Sequence, residues 1–252
     1  MNAPTPPTPQ CAEEFRDLAN LGEPDVRMRS FVIDDGSGWR NLDQADRHRA
    51  VARFTLLPSV PEDIRVQFDV ARNLYMYAWH VYRFHAVAEQ HALATLEMAL
   101  RESLIARGHL NEHGMLEAAL PPPAKVSSAR LRDQRVMLKM LIRHAAAYDM
   151  ISNDRLVNRR QWAERIAEQD RAIELIQLME RQGLTEIEVP PEPPALTDAH
   201  LKYDWIGSFV ESLPSLRNTY AHGGSQIHAT VLRTFDVVSD LINQLYPTSG
   251  SP

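Results

Sequence analysis

One long amphipathic segment, residues 61–107, constrains the fold more than any other part of this 252-residue chain. Its apolar residues recur at alternating spacings of three and four, the period of an α-helix that buries one face. A second row of leucines lies beside the first, so the apolar face is too wide for a surface helix. The pattern therefore predicts the central helix of a bundle, either continuous or split. The two rows are Leu74, Tyr77, Val81, Phe84, Ala88, His91, Thr95 and Met98, and Leu93, Leu96, Leu100 and Leu104.

Prolines and glycines divide the rest of the chain into further helical segments. Gly183 is placed to end one helix, Pro214 marks a boundary in another, and Gly223-Gly224 precedes the last one. Strand patterns are scarce: only residues 28–33, followed by the turn residues Asp34–Gly38, suggest a strand. The sequence thus predicts a mainly α protein. The other predicted helices cover residues 45–57, 128–149, 155–182, 198–213 and 226–246, with a short helical piece after Pro214.

The same division of the chain by prolines and glycines predicts the domain organisation. Residues 1–14 are rich in proline and threonine and are expected to form a disordered leader. Residues 15–60 form an N-terminal extension, and residues 61–247 form the helical bundle. Within the bundle, residues 108–195 are interpreted as inserted or extra helices and linkers.

Composition excludes several classes of protein. The formal net charge is -6, which argues against a protein that coats nucleic acid through a general positive surface. Cys11 is the only cysteine, so an internal disulfide and a four-cysteine zinc site are both excluded. No signal peptide or membrane-spanning run is visible, so we expect no membrane association and a cytoplasmic location.

The segment from Leu213 to Gly224 carries the most promising chemistry. Pro214 near one end and Gly223-Gly224 at the other predict a short helix that frays at its last residues. On a regular helix, Arg217 and His222 would point about 140° apart around the axis, so fraying would allow the two side chains to converge. The segment includes Arg217, Asn218, Thr219, Tyr220, Ala221, His222 and Gly223.

This Arg-Asn-x-x-Ala-His-Gly order resembles the signature of the HEPN family, helical bundles in which a histidine follows an arginine after a few residues. The motif also lies just before the last predicted helix, where the family places it. A second run, Leu96–Arg101, is similar to the Leu-Glu-x-Ala-Leu-Arg run of HEPN first helices. Residues 138–150 are similar to a middle helix of such bundles. Together the resemblance spans roughly residues 62–247 and implies a HEPN-like helical bundle.

Many HEPN proteins are metal-independent endoribonucleases, and the resemblance implies that chemistry here. Arg217 would stabilise the phosphate, His222 would act as the acid/base, and Asn218 would support both. RNA carries its own nucleophile, the 2′-OH, so no metal or cofactor is implied and the product is a 2′,3′-cyclic phosphate. Some members paired with a nucleotidyltransferase carry a tyrosine where this chain has Gly224, so modification of that kind is not implied.

The resemblance also implies partners. Two copies of the family motif meet across a two-fold axis, so this chain, with one credible copy, is expected to act on RNA as a homodimer. Such proteins typically serve as toxins or in defence against phage. A regulatory or antitoxin protein is therefore an expected partner.

Other interpretations of these residues stay open. Arg217 pairing with a carboxylate and His222 satisfied by backbone would be structural features of a helix end, and Tyr220 would then be a core residue. Glu211 and Asp204 would either orient His222 or be solvated. The chain would in that case be a non-catalytic HEPN-like module that binds nucleotide, RNA or protein.

Two further groups of residues invite a functional reading. His109 and His113 have a metal-like spacing, but bracketing glycines favour a loop. Arg107 and His113 also form a second, looser arginine–histidine match. The arginines of residues 155–171 are interleaved with acids, which favours a salt-bridged solvated face over an RNA surface.

Overall fold

The structure is a computed structural model that describes residues 15–113, 137–221 and 231–248, with the side chains of residues 218–221 left out. The described residues are mainly helical, as the sequence predicts. The helices are α1 (Gln44–Ala52), α2 (Glu62–Tyr77), α3 (Phe84–Ala106), α4 (Leu138–Ala147), α5 (Arg159–Gln182), α6 (Asp198–Leu201), α7 (Trp205–Ala221) and α8 (Val231–Leu245). Short 3₁₀ helices cover Leu18–Asn20, Val26–Ser30 and Asn153–Arg155, and a hairpin joins β1 (Val32–Asp34) to β2 (Trp39–Asn41).

The described residues divide into two compact units. The first contains residues 15–99, 215–221 and 231–248, so the N-terminal extension belongs to it. The second contains residues 100–113 and 137–214. The assignment of residues 108–195 as an insertion stays a prediction, and the predicted leader at residues 1–14 lies outside the described residues.

Helix α8 is the centre of the first unit. Twelve of its fifteen residues are buried, which identifies it as a core helix rather than a surface helix. Phe235 contacts three aromatic rings, one from the segment after α1 and two from α2, with ring centroids 5.7–6.3 Å apart. Those rings belong to Phe54, Phe68 and Tyr75.

Polar contacts tie α3 to the C-terminal end of the chain. The buried Thr234 hydroxyl donates to Oε1 of Glu89, which is also fully buried. The Tyr246 hydroxyl donates to the carbonyl of Ala99 at 3.1 Å. These two contacts fix α3 along its length, because Glu89 and Ala99 lie about three turns apart.

The predicted long helix is split into α2 and α3 by a buried carboxylate from the N-terminal extension. The Asp25 backbone N–H donates to the carbonyl of Trp79 at 2.9 Å, and Oδ2 of Asp25 accepts from the Tyr82 N–H at 3.1 Å. The extension therefore satisfies backbone groups that a helix break leaves without partners. Of the two apolar rows, the second is fully buried, whereas Tyr77 of the first is exposed.

Two sequence predictions are corrected by the structure. Residues 26–30 form a 3₁₀ helix because the Asp25 carboxylate caps the Arg27 N–H, so the strand begins only at Val32. The single helix predicted over 198–213 is instead α6 and the start of α7. Pro214 lies inside α7 rather than at its boundary, although a proline there has no N–H for the helix ladder.

The second unit has an aromatic core formed by residues of α5 and α7. Trp162, Trp205 and Phe209 contact one another with ring centroids 5.2–6.3 Å apart. Helix α5 ends at Gly183, which adopts a left-handed φ of 64° as the sequence predicts for a helix-terminating glycine.

Loss of the Asp25 carboxylate is expected to destabilise the first unit. Burial alone would raise its pKa, but hydrogen bonds from the Arg27 side chain and from the Arg27 and Tyr82 backbone lower the pKa to about 2. We expect Asp25→Asn to reduce the free energy of unfolding by about 2 kcal/mol, measured by urea denaturation at pH 7. The control is Asp69→Asn, which removes an exposed pair with Arg72 and is expected to cost less than about 1 kcal/mol. Equal costs would contradict the anchoring role of Asp25.

A buried histidine in the same unit is expected to make the stability of the protein depend on pH. His85 accepts from the Arg47 guanidinium at 3.1 Å through Nε2, while its Nδ1 donates to the Tyr82 carbonyl at 2.9 Å. Burial, and then the charge of Arg47, lowers the pKa of His85 to about 4. The folded state therefore keeps His85 neutral at a pH where the unfolded chain binds a proton.

The free energy of unfolding is accordingly expected to fall as pH drops from about 6.5 towards 4, by up to about 3 kcal/mol from this group. Urea denaturation of the wild type and of His85→Gln at several pH values measures this change. The free energy of unfolding of the variant should depend less on pH. The exposed His48→Gln serves as the control and should follow the wild type. Parallel curves for wild type and His85→Gln would show that His85 is not the titrating group.

Candidate functional site

The structure brings Arg217 of the C-terminal motif together with Glu97 of α3. Their Nη2 and Oε2 atoms lie 3.0 Å apart, and both residues belong to the first unit. The Glu97 side chain is 15% exposed and that of Arg217 is 35% exposed, so the pair is sheltered but reaches solvent. The two runs of sequence that carry the family resemblance thus meet through a direct ion pair.

The helical register of α3 sets the position of Glu97. Leu96 and Ala99 are fully buried, which leaves Glu97 and Met98 at the half-buried edge of the helix. Arg217 lies one turn after Pro214 within α7. A carboxylate at this edge holds the guanidinium nearby through electrostatic attraction, which is stronger for a partly buried pair than for one in bulk water.

Such a pair can present an oriented cation to a phosphate. Arginine has five N–H donors in a planar fork, so one contact with Glu97 leaves other donors of Arg217 for an anionic ligand. The partial exposure of Arg217 makes those donors accessible. The acidic partner also reduces the net positive charge, which favours a local contact over general attraction of polyanions.

The other predicted motif residues are only partly described. Asn218 and Tyr220 lie on α7, but their side chains are outside the described part of the structure. His222 follows the last helical residue, Ala221, and lies outside the described residues. The proposed roles of these three residues therefore stay predictions.

The structure places Glu211 and Asp204 in the second unit with partners of their own. Glu211 accepts from Lys139 Nζ at 2.5 Å and from Arg143 Nη2 at 3.0 Å. Lys139, through a hydrogen bond and its charge, together with Arg143, lowers the pKa of Glu211.

Asp204 is held by a different set of contacts. Its Oδ1 accepts from Asn153 Nδ2 and from the Gly207 N–H, both at 2.9 Å. Asp204 thus acts as the cap at the start of α7. The structure describes contacts of Asp204 and Glu211 with residues of the second unit. That either acid orients His222 stays a prediction.

Glu97 is the site residue that the sequence analysis does not single out. It lies within the Leu96–Arg101 run, where it interrupts an otherwise apolar helix face. A charged residue at the margin of a core helix is a signal that it has a partner. The sequence could not identify Arg217 as that partner, because 120 residues separate them.

Of the two histidines with metal-like spacing, His109 pairs with His144 on α4. His109 follows Gly108, whose φ is 72°, and its Nδ1 lies 2.9 Å from Nε2 of His144. Burial, and then His109, lowers the pKa of His144 to about 4. Within residues 15–113, 137–221 and 231–248, no three His, Cys, Asp or Glu side chains are grouped to hold a metal ion.

Three of the arginines in α5 and the turn before it pair with neighbouring acids, and the guanidinium groups of Arg165 and Arg171 donate to backbone carbonyls. Arg155 pairs with Asp149, Arg159 with Asp154 and Arg160 with Glu164. Exposed pairs of this kind contribute little stability, but they compensate the positive charge that an RNA surface would need.

No known family model, curated protein or solved structure matches this chain. Among its described helices, none combines the length and the apolar character needed to cross a bilayer.

The ion pair between Glu97 and Arg217 can be measured by a double-mutant cycle. Urea denaturation of Glu97→Gln, Arg217→Gln and the double variant should give a coupling free energy of about 1 kcal/mol, because both side chains are mostly sheltered. The exposed pair Asp198–Lys202, treated in the same way, should give less than about 0.5 kcal/mol. Strictly additive effects for Glu97 and Arg217 would contradict the pairing.

Proposed function

We propose that this protein is a HEPN-like endoribonuclease that cleaves RNA without a metal ion and acts as a homodimer. The observation that carries the proposal is the 3.0 Å contact between Arg217 and Glu97. It joins the Arg-Asn-x-x-Ala-His-Gly motif to the Leu96–Arg101 run, the two segments on which the resemblance rests.

The proposed reaction uses the nucleophile that RNA supplies. The 2′-oxygen attacks the adjacent phosphorus and its proton passes to a base; the bond from phosphorus to the 5′-oxygen breaks, and that oxygen receives a proton from an acid. His222 is proposed as the group that takes or supplies a proton, since an imidazole exchanges protons near neutral pH. The products are a 2′,3′-cyclic phosphate and a 5′-hydroxyl.

Arg217 is proposed to stabilise the negative charge that develops on the phosphoryl oxygens. Glu97 acts through Arg217 and is therefore a positioning residue. Asn218 is proposed to support the motif, with Tyr220 as a further supporting residue. A homodimer would bring two copies of the motif into one cleft, which doubles the number of Arg217 and His222 side chains there although each chain has a net charge of -6.

The proposed biological role is that of a toxin or an anti-phage defence effector under the control of a partner protein. An RNA-cleaving enzyme requires such restraint, because its substrate is present throughout the cell. The acidic net charge supports restricted substrate use, since general electrostatic attraction to RNA is weak.

A second candidate function is a HEPN-like module that binds nucleotide, RNA or protein without cleavage. The pairing of Arg217 with Glu97 favours it, because the acid compensates the cation that would otherwise face a phosphate. In this alternative the pair has a structural role within the first unit.

Cleavage of RNA in the presence of a chelator tests the proposal. We expect the wild type to cleave single-stranded RNA in EDTA, to leave 2′,3′-cyclic ends, and to spare DNA of the same sequence. His222→Ala should reduce the rate by about 100-fold or more, and Arg217→Ala by a similar factor. Glu97→Gln should reduce it by about tenfold.

The matched control is His113→Ala, which alters the looser arginine–histidine match and should cleave like the wild type. Equal rates for wild type and His222→Ala, or activity that EDTA abolishes, would contradict the proposal. RNA binding without cleavage by the wild type, weakened in Arg217→Ala in a mobility-shift assay, would support the binding module instead.

A further inference from the structure

The second unit contains an open cleft of about 400 Å³ that the proposed ribonuclease chemistry does not use. Its walls come from the end of α4, the turn at residues 151–153 and the first two turns of α7. Polar and apolar groups both line it. Its charged lining residues are Arg143, Asp204 and Glu211.

One end of the cleft is negatively charged. Oδ1 of Asp204 accepts from Asn153 and from the Gly207 N–H, both of which are neutral donors. Among the residues that the structure describes, none donates to its Oδ2. The described contacts therefore bring no cation to Asp204 and leave one of its carboxylate oxygens for a ligand.

The opposite end carries a net positive charge. Glu211 is paired with both Lys139 and Arg143, so a single carboxylate faces two cations. The described contacts engage Arg143 through Nη2 alone, and its side chain is 51% exposed. The remaining donors of its guanidinium are available for an anion.

An apolar floor separates the two ends. Ile151, Ile206 and Val210 line the cleft and are between 1% and 6% exposed, so their side chains are well packed. Asp204 and Glu211 are seven residues apart, which places them on one side of α7 and about 10 Å apart along its axis. The cleft is thus dipolar, with its charges at either end of an aliphatic surface.

We propose that this cleft binds a small zwitterion with an ammonium group and a carboxylate at opposite ends of a short aliphatic chain. The ammonium contacts Oδ2 of Asp204, the carboxylate contacts Arg143, and the chain lies on the apolar floor. A dipolar ligand fits both ends at once, whereas a simple cation or anion satisfies only one.

Gly207 supports this assignment. A glycine near the start of a helix weakens it relative to alanine. Here a Cβ at this position would lie 2.2 Å from Oδ2 of Asp204 and 2.8 Å from its Cγ. The absence of a side chain therefore lets the Asp204 carboxylate occupy the position from which it lines the cleft.

Titration of the full chain with 6-aminohexanoate tests the proposal by isothermal calorimetry. Hexylamine and hexanoate provide the two single-charge controls with the same chain length. We expect saturable binding of 6-aminohexanoate, and binding of either control at least about tenfold weaker. Absence of saturable binding up to about 50 mM, or equal binding of all three compounds, would overturn the proposal.

Three variants locate the site. Asp204→Asn keeps an acceptor for the helix cap while removing the charge, and Arg143→Gln removes the opposite charge; each should weaken binding of 6-aminohexanoate by about tenfold. Gly207→Ala should weaken it as well, by displacing the Asp204 carboxylate. Asp154→Asn, which alters an exposed acid outside the cleft, should bind like the wild type. Unchanged affinity in Asp204→Asn would overturn the proposal.

Discussion

The near-complete burial of α8 is the constraint on which the first unit depends. A helix with twelve buried residues out of fifteen needs neighbours on almost every side, and these neighbours come from distant parts of the chain. Phe235 contacts aromatic rings from α2 and from the segment after α1. The Thr234 hydroxyl contacts Glu89 on α3. Because α3 is held in this way, the position of Glu97 about two turns further along is fixed as well.

Fixing Glu97 matters for function because it determines the environment of Arg217. A surface arginine without a partner samples many rotamers and offers little orientation to a ligand. Pairing with a sheltered carboxylate restricts the orientation of the guanidinium. It also compensates part of the positive charge of the guanidinium. The same contact is therefore compatible with an oriented phosphate-binding group and with a purely structural ion pair, and these alternatives differ in whether RNA is cleaved.

The second unit organises its charges differently. Asp204 is bound by neutral donors at the start of α7, whereas Glu211 two turns later is paired with two cations. The contacts of Asp204 leave one end of the cleft negatively charged, and those of Glu211 leave the other end positively charged. Such separation of charge along a single helix arises from where α4 and the turn at residues 151–153 contact α7, and it creates the dipolar cleft.

The sequence by itself determined the helical class, the buried leucine row of α3 and the end of α5 at Gly183, since periodicity and glycine conformation are local properties. It also indicated Arg217. Only the tertiary structure decided where the long helix breaks, because the Asp25 carboxylate that satisfies the break lies more than fifty residues away. It likewise decided that Pro214 lies inside α7, that Arg217 pairs with Glu97, and that Asp204 and Glu211 share one cleft. The helix break and the pairing of Arg217 with Glu97 depend on contacts between residues distant in sequence, which no local pattern encodes.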